Sequence, residues 1–129
     1  VLDVAHNADS AALLAQQLHQ NEPSIDFCAL FSAKATKSLI DIVAPLASIV
    51  SHWVVAPLDD LNFAAVEDLE AACQYHRQSN ERAIDVESAF DRAITTAREH
   101  GTMAVVVFGS FITVARVKQI LKRSNMHHT

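Results

Sequence analysis

Apolar positions along this chain repeat with two periods, and each change of period marks a boundary. Val1 to Ala5 is a short apolar run that reads as a strand. From Ala8 to Gln20 the period lengthens. Ala11, Leu14, Ala15 and Leu18 fall at i, i+3, i+4 and i+7, one face of a helix, which Asn7 or Asp9 can cap. Asn21-Glu22-Pro23-Ser24 is a turn. Asp26 to Phe31 is a second strand, with Ser32 to Lys37 as its loop. A helix starting near Thr36 carries Leu39 or Ile40, then Val43, Ala47 and Val50 inward. Pro45 has no N–H to donate and should kink or split that helix. His52 to Leu58 is a third strand; Val66, Leu69 and Cys73 mark the next helix; Ala83 to Val86 is a short strand. Ser88 is placed to cap a helix bearing Phe90, Ile94 and Ala97 that stops at Gly101. Met103 to Phe108, with the β-branched run Val105-Val106-Val107, is the last strand. Thr113 to Lys122 is the last helix, with Val114, Val117 and Leu121 inward.

Strict alternation of strand and helix predicts an α/β fold. Strands apolar on both faces, separated by amphipathic helices, call for three layers: a mostly parallel sheet with helices on both faces. The 129 residues fit one domain, and with half of them hydrophobic the chain can bury a real core. The net charge of -5 changes the picture of partners. Basic residues are scattered apart from Lys118, Lys122 and Arg123, so the clustered charge that phosphate backbones need is missing and nucleic acid is not an expected partner. The apolar run Met103 to Phe108 is too short to span a bilayer, so no membrane association is expected either. Cys28 and Cys73 lie in apolar settings with no metal or redox spacing, and read as buried thiols of a reducing, cytoplasmic compartment.

Folds of this class bind ligands outside the carboxyl ends of their strands. The first strand delivers Asp3, His6 and Asn7 there, next to the start of a helix whose dipole and free N–H groups suit an anion. The second strand delivers Ser32, with Lys34 and Lys37 in its loop; the third delivers Asp59 and Asp60; the last delivers Gly109 and Ser110. Each also has an ordinary reading: Asp3 and Asn7 as turn and cap, His6 in a local hydrogen bond, Ser110 as a helix cap, the lysines as surface charge. His52 stands at a strand start, the wrong end for a site, and reads as structural; His19, His76 and His100 read as solvent-facing. The sequence contains no Walker-type phosphate loop, G-x-G-x-x-G or metal-ligand spacing. A chain that opens on Val and half of a site is expected to be one piece of a longer protein.

The stretch Leu2-Asp3-Val4-Ala5-His6-Asn7, followed by an Ala-rich helix, resembles the start of the C-terminal domain of the bacterial dihydrofolate synthase/folylpolyglutamate synthase family, in the Mur ligase superfamily. Leu30-Phe31-Ser32-Ala33 with Lys37, Trp53 through Ala56-Pro57-Leu58, and Val107-Phe108-Gly109-Ser110-Phe111 with Thr113-Val114-Ala115 match that family in order. The resemblance covers essentially residues 1–129. It implies ATP-dependent amide ligation: a carboxylate of dihydropteroate or a folyl-(poly)glutamate becomes an acyl phosphate, and the amine of L-glutamate attacks it. By the same resemblance, Asp3 and Asn7 are nucleotide-binding, His6 is catalytic and near glutamate, and Ser110 and Ser32 bind glutamate. ATP and Mg²⁺ are then held mainly by an N-terminal ATPase domain absent from this chain, over which this domain closes, and the chain alone is expected to be inactive. Ala8, Thr36, Asp59 to Asn62 and Ile112 depart from the family's usual residues. Two other readings stay open: a muropeptide-forming Mur ligase, and a non-catalytic α/β module binding an anion or a partner.

Overall fold

The computed structural model describes residues 8–21, 26–35, 39–58, 63–100, 103–108 and 111–127. In chain order the elements are α1 (Ala8–Asn21), β1 (Asp26–Phe31), α2 (Leu39–Val43), a 3₁₀ turn (Ala44–Leu46), β2 (Val50–Val55), α3 (Val66–Tyr75), β3 (Asn80–Arg82), α4 (Val86–His100), β4 (Met103–Phe108) and α5 (Phe111–His127). The four strands form one parallel sheet in the order β3-β2-β1-β4. The expected α/β class is therefore observed. The strand expected at Val1 to Ala5 lies outside the described residues.

The pleat of β1 sorts the core into two halves. Phe27, Ala29 and Phe31 pack with Leu14 and Leu18 of α1, Ile42 and Val43 of α2, and Leu69 and Cys73 of α3. Cys28 and Leu30 point the other way, onto Ala89, Phe90 and Ala93 of α4 and Val114 and Val117 of α5. Helices thus cover both faces, which is why β1 is apolar at consecutive positions. The register between β1 and β2 slips after Phe27: Phe27 pairs with Val50 but Cys28 with His52. The extra residue, Ser51, lets Val50 and Trp53 share one face although they are three apart in sequence. Trp53 is fully buried and meets Phe31 edge-on, with centroids 5.7 Å apart at 77°.

Several expected details shift. The Pro45 break is real: α2 ends at Val43, and Pro45 sits in the first positions of the 3₁₀ turn, where no N–H is required. Val50, expected as a helical residue, opens β2, and the third strand ends at Val55 rather than Leu58. The short strand is Asn80–Arg82, not Ala83 to Val86, because it pairs through its backbone with β2 at the sheet edge, while Val86 is buried as the first residue of α4. Asp85, not Ser88, caps α4: its Oδ1 accepts the Ser88 N–H at 2.7 Å. In α5 the inward face runs through Val114, Val117 and Ile120, leaving Leu121 exposed. Asp9 lies inside the first turn of α1 rather than at its cap, and Asn7 lies outside the described residues. His76 is half-buried, not solvent-facing, and its Nε2–H donates to the Ile40 carbonyl at 2.8 Å.

Beyond His76 the chain turns sharply. Arg77 adopts a left-handed φ of 56°, the position usually given to Gly, while Arg77 N–H donates to Gln74 O and Gln78 N–H to Cys73 O. Those two bonds close the end of α3 as a Schellman turn and offset the backbone cost of a non-Gly residue there. The turn delivers Gln78 to Trp53, whose Nε1–H donates to Gln78 Oε1 at 2.9 Å.

Candidate functional site

Strand order locates the crevice. From β1 the chain passes to α2 on one face of the sheet, whereas from β4 it passes to α5 on the other. Neighbouring parallel strands whose exits diverge leave an opening between their carboxyl ends, the switch point at which such folds take ligands. That opening lies between β1 and β4.

Ser32 is the first residue beyond β1 and is buried, with 1% of its surface exposed. The backbone around it is tied on several sides. Phe31 O accepts the Ala56 N–H at 3.2 Å, Ala33 O accepts the Ala64 N–H at 2.9 Å, and Lys34 forms an isolated antiparallel bridge with Phe63. Ser32 O accepts a hydrogen bond at 3.1 Å from Oγ1 of Thr113, itself fully buried in the first turn of α5. The Ser32 hydroxyl, by contrast, has no hydrogen-bond partner among the described residues. A buried hydroxyl left in that state costs about 1–3 kcal/mol. A fixed backbone holding an open hydroxyl at a switch point suits a ligand oxygen or nitrogen arriving from outside.

Of the residues expected to form the site, Ser32 is placed by the structure. Asp3, His6, Asn7 and Ser110 lie outside the described residues, as do Lys37, Asp59, Asp60 and Gly109. Lys34 is exposed. Thr113 was not singled out from sequence; its signal is a hydroxyl-bearing residue at the start of an apolar helical face, one turn from Val117. Among the described residues no three His, Cys, Asp or Glu side chains are grouped to hold a metal ion, and no helix is long and apolar enough to cross a membrane. Both cysteines are free and buried; burial, reinforced by Glu81, pushes the Cys28 thiol up to about 11, and burial with Glu70 pushes Cys73 up to about 12. Both are therefore protonated, inert core groups.

Comparison with known proteins adds what this geometry lacks. Residues 1–111 match the family model described as Mur ligase, glutamate ligase domain. The chain is 29% identical over 115 residues to a dihydrofolate synthase/folylpolyglutamate synthase of Buchnera aphidicola subsp. Acyrthosiphon pisum, a match covering 89% of the chain and 27% of the relative. It is 30% identical over 122 residues to the protein of that name from Escherichia coli K12, covering 94% of the chain and 27% of the relative. The chain thus spans about a quarter of the length of the curated relatives it matches. Among solved structures, E. coli FolC in complex with DHPP and ADP superposes with a TM-score of 0.85 at 28% identity, covering 95% of this chain and 28% of that one. A bifunctional folylpolyglutamate synthase/dihydrofolate synthase with Mn, AMPPNP and L-glutamate bound gives 0.80 at 32% identity, covering 94% and 29%. Sequence and architecture agree, and the chain belongs to the Mur ligase glutamate ligase domain family.

Proposed function

We propose that the chain is the glutamate-ligase domain of an ATP-dependent dihydrofolate synthase/folylpolyglutamate synthase, acting with an N-terminal ATPase domain. The observation that carries this reading is the match over residues 1–111 combined with a parallel sheet whose switch point opens beside the buried Ser32 hydroxyl. The names of the relatives favour folate substrates over cell-wall precursors, and the ligands of the two similar structures, DHPP, ADP, AMPPNP, Mn and L-glutamate, are those such a reaction would use.

The chemistry is amide formation. A carboxylate oxygen of dihydropteroate or of a folyl-glutamate attacks the γ-phosphorus of ATP, giving an acyl phosphate and ADP. The amine of L-glutamate then attacks the acyl carbon, and the tetrahedral intermediate expels inorganic phosphate. This domain's part is to close over the nucleotide and orient the amine, a contribution of positioning and charge. In the proposed roles Asp3 accepts hydrogen bonds from the nucleotide with Asn7 beside it, His6 faces the reacting centre, and Ser110 and Ser32 hold the glutamate. Mg²⁺ is assigned mainly to the N-terminal domain, as the family resemblance implies. A cytoplasmic setting suits the two free thiols.

The test joins this chain to the ATPase domain of its own protein and follows ADP release with glutamate and folate varied. His6→Ala is expected to lower glutamate-dependent turnover by about 10²-fold, the scale of one lost catalytic donor or base. Asp3→Ala should instead raise the KM for ATP. Wild-type kinetics in both variants would refute the assigned roles, and the chain alone should show no ligation.

A further inference from the structure

A polar cluster lies at the opposite, amino-terminal edge of the sheet, by the starts of β1 and β2 and beside α4. It lines an open cavity of about 330 Å³, within the size range of small-molecule sites. His52 Nε2 lies 2.6 Å from Glu81 Oε2, and His52 Nδ1 lies 2.7 Å from Ser79 Oγ. Glu81 is held in turn by Arg92, whose Nε–H donates to Oε1 at 2.8 Å.

These contacts set the proton positions. An ionised carboxylate can only accept, so Nε2 carries the hydrogen and donates it to Glu81. A neutral imidazole then presents a lone pair at Nδ1, and the Ser79 hydroxyl donates to it. Partial burial alone would raise the Glu81 carboxyl, but hydrogen bonds from His52 and Arg92, with the Arg92 charge, hold it below its ordinary value and keep it ionised. A hydroxyl bonded to a base that is oriented by a third group is the arrangement that activates a serine. Ser79 is exposed, so the nucleophile is accessible. It is also fixed: the Trp53 N–H bonds the Ser79 carbonyl at 2.9 Å. The neighbouring thiol, Cys28, is protonated and buried, so it does not compete.

We propose that Ser79, His52 and Glu81 form a second site, separate from the ligase crevice, that hydrolyses small neutral or cationic carboxylic esters. Ser79 Oγ attacks the ester carbonyl carbon as its proton passes to His52 Nδ1. Arg92, which lines the same cavity, supplies positive charge for the tetrahedral oxyanion. The bond to the alkoxide breaks, and the proton on Nδ1 leaves with it as the alcohol. A water molecule then attacks the acyl-Ser79 carbonyl, giving its proton to Nδ1, and collapse returns that proton to Ser79 and frees the acid. Glu81 stays ionised throughout. Asp26 and Glu99 also line the cavity without ion pairs among the described residues, so its wall disfavours an anionic acyl group.

The experiment uses the whole chain with p-nitrophenyl acetate, p-nitrophenolate release and mass mapping of the acetylated residue. The expected result is an acetyl group on Ser79 and a rate lowered about a hundredfold, the scale of lost base catalysis, in both Ser79→Ala and His52→Gln. The Gln amide keeps a donor for Glu81 while removing the proton acceptor, so it separates catalysis from scaffolding; circular dichroism checks that each variant is folded. The anionic p-nitrophenyl hemisuccinate should react more slowly than the acetate. Acetylation confined to lysines, or an unchanged rate in folded Ser79→Ala, would overturn the proposal; equal rates on the hemisuccinate would overturn the stated substrate class.

Discussion

The two edges of the sheet treat their polar groups in opposite ways. At the amino-terminal edge Ser79, His52, Glu81 and Arg92 satisfy one another at 2.6–2.8 Å, although each is partly exposed. At the carboxyl edge Ser32 is far more deeply buried, yet its hydroxyl has no partner among the described residues. Folding alone completes the first arrangement. The second leaves a hydroxyl without a partner among the described residues, and a ligand that bonded it would recover that cost. Depth of burial therefore does not track hydrogen bonding: the shallower cluster is paired, and the deeper hydroxyl is not among the described residues.

The largest test removes the link between the edges. Trp53 donates to Gln78 in the turn that leads to Ser79, and its ring meets the edge of Phe31, the residue before Ser32. Trp53→Ala should cost about 3–5 kcal/mol in urea unfolding, the usual range for emptying a buried aromatic site. A domain of ordinary stability would lose much of its folded population. Trp53→Phe should cost less, chiefly by leaving the Gln78 carbonyl without its donor. Wild-type stability in Trp53→Ala would show that the edges are held independently.

The contrast between the edges also explains what could be read from sequence. Core strands were legible because β1 and β4 are apolar on both faces, and the helices because Leu14, Leu69, Val114 and their like recur at helical spacing. β3 was not: Asn80-Glu81-Arg82 has no apolar signal, since an edge strand can be recruited through backbone pairing alone. Of the apolar residues expected there, Ala83 and Ile84 lie in the connection after β3 and Val86 opens α4. His52 lies near the start of β2, as its sequence position predicts, but its partners come from a loop and a polar strand 27 and 29 residues away, a relation no local period encodes. At the carboxyl edge the position of Ser32 just beyond a strand was readable from sequence. Thr113 was not, because its hydrogen bond to Ser32 joins residues 81 apart.

A second, smaller effect distinguishes the edges by pH. Glu81 has a folded-state pKa below its unfolded value. Its contribution is therefore fully present above the unfolded carboxylate value of about 4.3 and is lost as pH falls through the lower folded value. Asp85, lowered by hydrogen bonds from the Ser88 backbone and hydroxyl, acts in the same direction at the start of α4. Urea unfolding of the wild type and Glu81→Gln from neutral pH to about pH 3 should show their difference shrinking over that acid range. A difference independent of pH would mean that the carboxylate charge does not stabilise the closed network.

The smallest expected change in stability is at Ser32, and its sign matters most. Alanine there keeps the backbone bonds to Ala56, Ala64 and Thr113, which involve Phe31 O, Ala33 O and Ser32 O rather than the side chain. It removes only a buried hydroxyl, so Ser32→Ala should leave the domain unchanged or stabilise it by up to about 1 kcal/mol, because the cost of an unsatisfied group disappears. A structural serine would behave in the opposite way, since its partner would be left unpaired. In the complete enzyme the same substitution should raise the KM for glutamate with little change in kcat, the mark of a contact made equally in ground and transition states. A loss of stability in Ser32→Ala would mean that the hydroxyl is already satisfied within the native fold, and the carboxyl edge would then be as closed as the one opposite.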